Sequence, residues 1–417
     1  MRQLKISPEI RGLAAEVEKE LAGVFAGFSR VAEACTFKVM SAFQEFRVSE
    51  ACFAGTTGYG YNDLGRDTLD RIYARVFGAE SALVRLGFVN GTHAIAAALF
   101  AVCRPGDTLL SVTGTPYDTL RRTIGIANET AGSLKSYGID YAQVDLLPDG
   151  GPDIAGIKRA ASDPRVGAVE IQRSRGYALR RAFGVAEIGT IIEAVRAVNR
   201  NASILVDNCY GEFTEELEPT AAGADLIAGS LIKNPGGGLA PTGGYVAGRA
   251  DLVERAAMRL TAPGIGGACG STLGNNRLLY QGFFMAPHTV SQALKTVAFC
   301  AGLMARLGLK STPAQAESRY DIIQTIEFGS AEKLLRFCKG IQSGSPIDSH
   351  VTPVPWAMPG YEDEIVMAAG AFIQGASIEL SCDGPMRAPY LGFVQGGLSY
   401  ESGKLGIMLA AAELLKA

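Results

Sequence analysis

Lys233 and Asp207 are the residues of this chain whose types and settings could do chemistry together. An apolar run, Ser203-Ile204-Leu205-Val206, ends in Asp207-Asn208. A second run, Ala224 to Gly229, ends in Ser230-Leu231-Ile232-Lys233 and passes at once into Asn234-Pro235-Gly236-Gly237-Gly238. Each run reads as a buried strand whose end presents one ionisable group. A lysine amine can hold an aldehyde as a Schiff base, and a buried carboxylate can keep a pyridinium nitrogen protonated. Those are two demands of pyridoxal 5'-phosphate (PLP), which serves as an electron sink. Taken alone, an Asp at this place is equally a strand–turn cap.

The remaining demands can be sought in turn. A phosphate group needs backbone N–H groups at a helix start. Asn90-Gly91-Thr92-His93 follows the strand-like run 81–86 and opens the apolar helix 94–103, so Gly91 and Thr92 are candidates. Ser230 adds a third candidate and a second hydroxyl, and an ordinary helix cap is the simpler reading of Asn90. A flat ring needs a stacking partner. Tyr117, just after a strand, is one candidate, and His93, directly after the phosphate turn, is the alternative. A substrate carboxylate suits the planar fork of an arginine. Arg387 lies in Cys382-Asp383-Gly384-Pro385-Met386-Arg387, and Arg173 and Arg175 follow the strand 166–171. Ligands of open α/β sheets bind at such strand ends.

The elements that must carry these residues alternate. Apolar runs near 81–86, 107–113, 137–145, 166–172, 203–207, 225–230 and 244–248 predict strands. Helical patterns near 92–103, 117–128, 152–161 and 186–199 lie between them, the last with Ile188, Ile191, Ile192, Val195 and Val198 inward. This order predicts an α/β fold with a mainly parallel sheet covered on both faces. Residues 1–50 read as an N-terminal helical arm, helical over 7–45, and residues 51–274 as the large α/β domain. Residues 275–417 read as a linker helix (275–310) and a smaller α+β domain, with strands at 371–380 and 391–394 and a final helix at 400–416.

The chain has 417 residues, 47 % of them apolar, and a formal net charge of −3, which offers no footprint for nucleic acid or an anionic membrane. Met1 to Lys5 lead into a charged stretch rather than an apolar signal core, and no apolar run is long enough to span a bilayer. A cytoplasmic protein is expected. Eight cysteines form no C-x-x-C pair and three histidines lack ligand spacing, so no metal is expected.

The order of features carries a resemblance. Tyr59-Gly60-Tyr61-Asn62-Asp63-Leu64-Gly65-Arg66-Asp67, the phosphate turn, Tyr117, Gln172-Arg173-Ser174-Arg175-Gly176-Tyr177, Asp207, Ser230-Leu231-Ile232-Lys233 and Arg387 stand as in fold-type I PLP enzymes. The chain resembles the cysteine/methionine-metabolism group, and within it the methionine γ-lyase-like or aluminium-resistance branch. The resemblance implies PLP held by Lys233, with Asp207 on its ring nitrogen and Tyr117 stacked on the ring. It implies that Gly91, Thr92 and Ser230 bind phosphate and that Arg387 holds the substrate carboxylate. Tyr59 or Tyr61 would reach a neighbouring subunit's site in a homodimer or homotetramer. Asp63 stands where better-known members carry a phosphate-gripping Arg, and Arg66 is the expected substitute. The implied activity is β- or γ-elimination on an amino acid, releasing a thiolate or a halide. Freed Lys233, desolvated beside a cationic ring, would have a low pKa and act as the base. The alternatives are γ-replacement on an activated homoserine, an aminotransferase or threonine-aldolase-like enzyme, and a PLP-binding regulator without turnover.

Overall fold

The computed structural model describes residues 6–126, 130–358 and 363–416. In chain order the first elements are α1 (Pro8–Glu45), α2 (Leu64–Val76), β1 (Ser81–Arg85), α3 (Gly91–Val102), β2 (Thr108–Ser111), α4 (Asp118–Ile124) and β3 (Asp140–Gln143). Next come α5 (Ile154–Ala161), β4 (Val166–Gln172), α6 (Val185–Arg196), β5 (Ser203–Asp207), β6 (Leu226–Ser230), β7 (Gly244–Gly248) and α7 (Ala250–Leu260). The chain continues through α8 (Asn276–Arg306), β8 (Lys310–Thr312), β9 (Ile323–Glu327), α9 (Ala331–Ser343), β10 (Ile365–Ala369), β11 (Ser381–Pro385), β12 (Leu391–Gln395) and α10 (Tyr400–Leu414).

Seven strands form one sheet in the order β1-β7-β6-β5-β4-β2-β3. β7 runs antiparallel to both neighbours, and the other pairings are parallel. The near-continuous apolar runs are explained by burial on both faces. In β4, Val169 and Ile171 enter one core while Ala168 enters the other; in β5, Ile204 and Val206 oppose Leu205 in the same way. The first core also takes Ile188, Ile191 and Ile192 of α6 and Phe283 of α8, and the second takes the small residues of α3 and one face of α7. Five antiparallel strands form the second sheet, β10-β11-β12-β9-β8. Its core joins α9 and α10 to Ile10, Ala14, Val17 and Leu21 of α1 and to Phe299 and Leu303 of α8.

Three local expectations fail, each for a physical reason. Residues 371–380 are turns and not a strand. Gly375 sits at φ +79, and the Glu379 carboxylate accepts the N–H groups of Phe372 (2.9 Å) and Ile373 (3.0 Å) in place of a ladder partner. Val198 is 43 % exposed because α6 ends at Arg196, short of it. Helix α4 stops at Ile124, where Gly125 takes a left-handed φ of 96, and residues 127 and 128 of the expected helix lie outside the described ones. No helix of the described residues is long and apolar enough to cross a membrane.

Phe283 joins α8 to the first sheet. It is fully buried, stacks on Tyr73 of α2 at 3.9 Å between ring centroids, and meets Phe77 and Phe213 at 5.7 and 5.5 Å. Phe283→Ala should therefore cost about 3–5 kcal/mol, which a lowered thermal midpoint in calorimetry would reveal.

Candidate active site

The expected residues meet at the C-terminal ends of the parallel strands. Asp207 is the last residue of β5, 3 % exposed, in register with Gln172 of β4 and Ala228 of β6. Ser230 ends β6, and Lys233 follows three residues later. The cleft they line has a volume of about 420 Å³ and also takes in Gly91, Thr92 and Tyr117. The lysine turn is braced from behind. Gly237 has φ +54, and a Cβ there would stand 2.3 Å from the Gly282 carbonyl of α8.

The start of α3 has the features of an anion cradle. Asn90 caps the helix, its Oδ1 accepting the His93 N–H at 2.9 Å. A Cβ on Gly91 would come within 2.9 Å of the Ser230 Cβ, so only glycine lets the helix start approach β6 this closely. The first-turn N–H groups have no acceptor within the helix, and the Thr92 hydroxyl lies 3.3 Å from the Tyr117 hydroxyl and 3.1 Å from that of Thr119. Tyr117 is itself fixed by its N–H, which donates to Gln172 Oε1 at 3.0 Å.

Electrostatics in the cleft are dominated by burial. Burial raises the Asp207 carboxyl above its ordinary range, against the pull of the Lys233 amine, the Cys209 N–H and Arg180. Burial also pushes the Tyr117 phenol up, and the Asp207 charge pushes the same way. For Lys233, burial acts to lower the pKa, but Cys209, Tyr210, Asp207 and Tyr117 outweigh it and hold the amine well above its ordinary value. The expected lowered amine is thus not a property of the protein groups, because none of the four is a cation. Its Nζ lies 4.0 Å from the Tyr210 ring centroid. Tyr210 adopts a left-handed φ of 69 and is tied by its hydroxyl to Ser377 at 3.2 Å.

Several expected residues lie elsewhere. Arg173 is fully buried and outside the cleft lining; its guanidinium charge is matched by Glu215 (2.7 Å) and Glu218 (3.2 Å), and it also donates to Asn208 (2.8 Å). His93 is turned away from the cleft: its Nδ1 accepts the Val89 N–H at 3.3 Å and its ring meets Phe88 edge-on, so it is no ring-stacking partner. Arg66 does not point outward to a neighbour. It is buried, donates to the carbonyls of Gly60 (2.6 Å) and Gly270 (2.9 Å), and pairs with Asp67 at 2.8 Å. Tyr59 and Tyr61 are 67 and 55 % exposed and stack on each other at 5.4 Å, away from the cleft of their own chain. Arg175 and Arg387 do line the cleft, each with an acidic partner: Asp321 at 3.1 Å and Asp363 at 2.8 Å.

Sequence reasoning missed several cleft groups. Tyr177 lines the cleft and donates its hydroxyl to Asp383 Oδ2 at 2.8 Å. Cys209 lies beside Asp207, with burial pushing its thiol up. Arg180 also lines the cleft. Tyr177 closes the Gln172–Tyr177 motif and Cys209 stands two residues after Asp207, but neither carries an expected role, and Arg180 belongs to no motif. Two carboxyls lie buried nearby. Glu170 accepts the Ser111 hydroxyl at 2.9 Å, and burial pushes its pKa up to about 7. Glu212 accepts the Tyr245 hydroxyl at 2.9 Å, and burial raises it to about 8. Among the described residues Glu170 Oε1 and Glu212 Oε2 have no hydrogen-bond partner.

The two sheets have the fold-type I architecture of PLP-dependent lyases, and the lysine, the carboxylate and the helix start line one cleft at the strand ends. Residues 10–415 match the methionine gamma-lyase family, and the chain belongs to that family. It is 51 % identical over 408 residues to the Bacillus subtilis protein YnbB, covering 98 % of this chain and 97 % of that one. A carbon-sulfur lyase involved in aluminium resistance from Clostridium novyi is 50 % identical with a TM-score of 0.96, over 99 % of this chain and 98 % of that one. A proposed cystathionine beta-lyase involved in aluminium resistance from Clostridium acetobutylicum is 49 % identical with a TM-score of 0.96, over 100 % and 98 %.

Glu212 provides a pH test. Its carboxyl titrates near 4.5 ordinarily and near 8 in the fold, so the folded state holds the extra proton between those values. The stability this contributes is complete below the unfolded value and is lost as pH rises through the folded one. Glu212→Gln, neutral throughout, should gain thermal stability relative to wild type from about pH 5 to about pH 8, by at most about 1.4 kcal/mol per pH unit. Thermal midpoints of the two proteins that run parallel across this range would refute the assignment.

Proposed function

We propose that the protein is a PLP-dependent carbon–sulfur lyase that eliminates a thiolate from an amino acid. The observation that carries this reading is the meeting of Lys233, Asp207 and the α3 start in one cleft. Bound there, PLP would supply an electron sink for the pair left when a proton departs from the substrate's α-carbon. Lys233 would hold the cofactor aldehyde, Asp207 its ring nitrogen, Tyr117 its face, and Gly91, Thr92 and Ser230 its phosphate.

The remaining work falls to side chains of this chain. Lys233, once displaced by the substrate's amino group, would be the base for the α-proton. Transfer of that proton to the Lys233 amine leaves an electron pair at Cα. When sulfur stands on Cβ, the Cβ–S bond breaks and its electron pair leaves with sulfur. When sulfur stands on Cγ, a Cβ proton must depart first, and Lys233 would carry it. Tyr117 is the acid for the departing thiolate. Burial keeps its phenol protonated at neutral pH, which suits donation. One of the cleft's arginines takes the substrate carboxylate. Water added to the unsaturated product then releases ammonia and a 2-keto acid, so thiol, ammonia and keto acid appear in equal amounts. The exposed pair Tyr59 and Tyr61 suits contact with a second copy of the chain, and a cytoplasmic homo-oligomer is part of this reading.

The test is a product assay on PLP-loaded protein with cysteine, cystathionine, methionine and O-acetylhomoserine. Equal release of thiol, ammonia and keto acid from one thioether or thiol substrate is expected. An exchanged amino group with no ammonia, or glycine with an aldehyde, would overturn the reading. In Lys233→Ala, turnover should fall at least about 10³-fold, and borohydride should no longer fix the cofactor to the chain. Fixation that persists in this variant moves the role to another lysine.

A further inference from the structure

We infer that Arg180 grips the α-carboxylate of the amino-acid substrate. The inference rests on the PLP reading of the cleft and goes beyond it by separating one arginine from the others.

Charge balance makes the separation. Of the arginines that line the cleft, Arg121 pairs with Asp118 at 3.4 Å, Arg175 with Asp321 at 3.1 Å and Arg387 with Asp363 at 2.8 Å. Arg180 has no carboxylate oxygen within 4.0 Å among the described residues. Its guanidinium donates instead to three carbonyls: Thr113 at 3.1 Å, Gln172 at 2.9 Å, and Ser174. Carbonyl oxygens fix the direction of the fork without cancelling its charge. A guanidinium carries five N–H donors, and the Arg180 Nε–H has no protein acceptor among the described residues. Burial pushes the Arg180 pKa down to about 10 against the pull of the Glu170, Asp321 and Asp207 charges, none of which touches the guanidinium. An anion delivered to this place therefore completes a charge-assisted pair that the protein leaves open.

Position points to the substrate. The Gln172 carbonyl that holds Arg180 belongs to the residue opposite Asp207 in the β4–β5 register, so the fork stands at the strand ends beside the ring-nitrogen carboxylate. Arg180 also borders a second chamber of about 910 Å³, which shares Thr115, Arg175, Ala178 and Arg180 with the cleft. A carboxylate bound at this junction leaves the substrate's side chain free to extend into either space. The α-carboxylate is common to every amino acid, whichever leaving group it carries.

The test compares ligands with and without the carboxylate. PLP-loaded wild type, Arg180→Gln and Arg387→Gln are titrated with L-alanine and with ethylamine, following the cofactor's absorbance. In wild type the apparent Kd for alanine should lie about 10- to 100-fold below that for ethylamine. Arg180→Gln should reduce that preference to within about 3-fold, and Arg387→Gln should retain it. The ratio is insensitive to the fraction of folded protein. Arg180→Lys keeps the cation without the planar fork and should show an intermediate preference. An undiminished preference in Arg180→Gln overturns the inference, as does a collapse in Arg387→Gln. Failure of Arg180→Gln to retain PLP that wild type holds would assign Arg180 to the cofactor and also overturn it. Wild type that takes up no PLP brings down the functional reading itself.

Discussion

A buried carboxylate and a half-buried amine at adjacent strand ends constrain everything else in this molecule. Asp207 closes β5 and Lys233 follows β6, the neighbouring strand. A carboxylate or an ammonium alone in such a place is costly, and each lowers the other's cost across a medium of low dielectric. Burial still dominates at Asp207, whose carboxyl is raised despite the amine nearby. The sheet can hold this arrangement because its central strands are apolar on both faces, with Ile204 and Val206 set against Leu205. The chemistry at the strand ends and the two cores behind it are one design problem. A strand order that separated β5 from β6 would remove each charge from the field of the other.

The second sheet finishes the cleft. Tyr177, beyond β4, reaches Asp383 of β11, and Tyr210, beyond β5, reaches Ser377. Arg175 is held by Asp321 and by the Thr312 carbonyl at 2.9 Å. All of these contacts run between the segment carrying the parallel sheet and the segment carrying the antiparallel one. Burial pushes Asp383 up to about 6, so the wall on this side also carries a carboxyl poised above its ordinary range. The positions of Tyr177, Tyr210 and Arg175, and with them the space left for a substrate, depend on how the two sheets pack.

The arginines show how far local reading goes. Arg173, Arg175 and Arg387 were each eligible as carboxylate partners by residue type and by their place after a strand or in a turn. Arg173 was removed by Glu215 and Glu218, more than forty residues on, and Arg175 is occupied by Asp321. Arg180 carried no motif and became distinctive only through the carboxylate it lacks. His93 and Arg66 stood in motifs, but Phe88 and Val89 turn the first away from the cleft and the Gly60 and Gly270 carbonyls hold the second inside.

The amino-acid sequence by itself determined the alternation of strands and helices, the parallel core, and the presence of an Asp and a Lys at the ends of two apolar runs. These are matters of hydrophobic period and of what directly follows a buried strand, and both are written locally. It also carried the glycine that the α3 start requires against Ser230. The tertiary structure decided which charges are spent and which stay open, which aromatic rings face the cleft, and how residues 371–380 satisfy their backbone through Glu379. The spent charges depend on partners distant in the chain, and the Glu379 turn on a side chain six and seven residues from the N–H groups it accepts. Pairing energies inside a low-dielectric fold are set by distances of a few ångströms that no local pattern encodes.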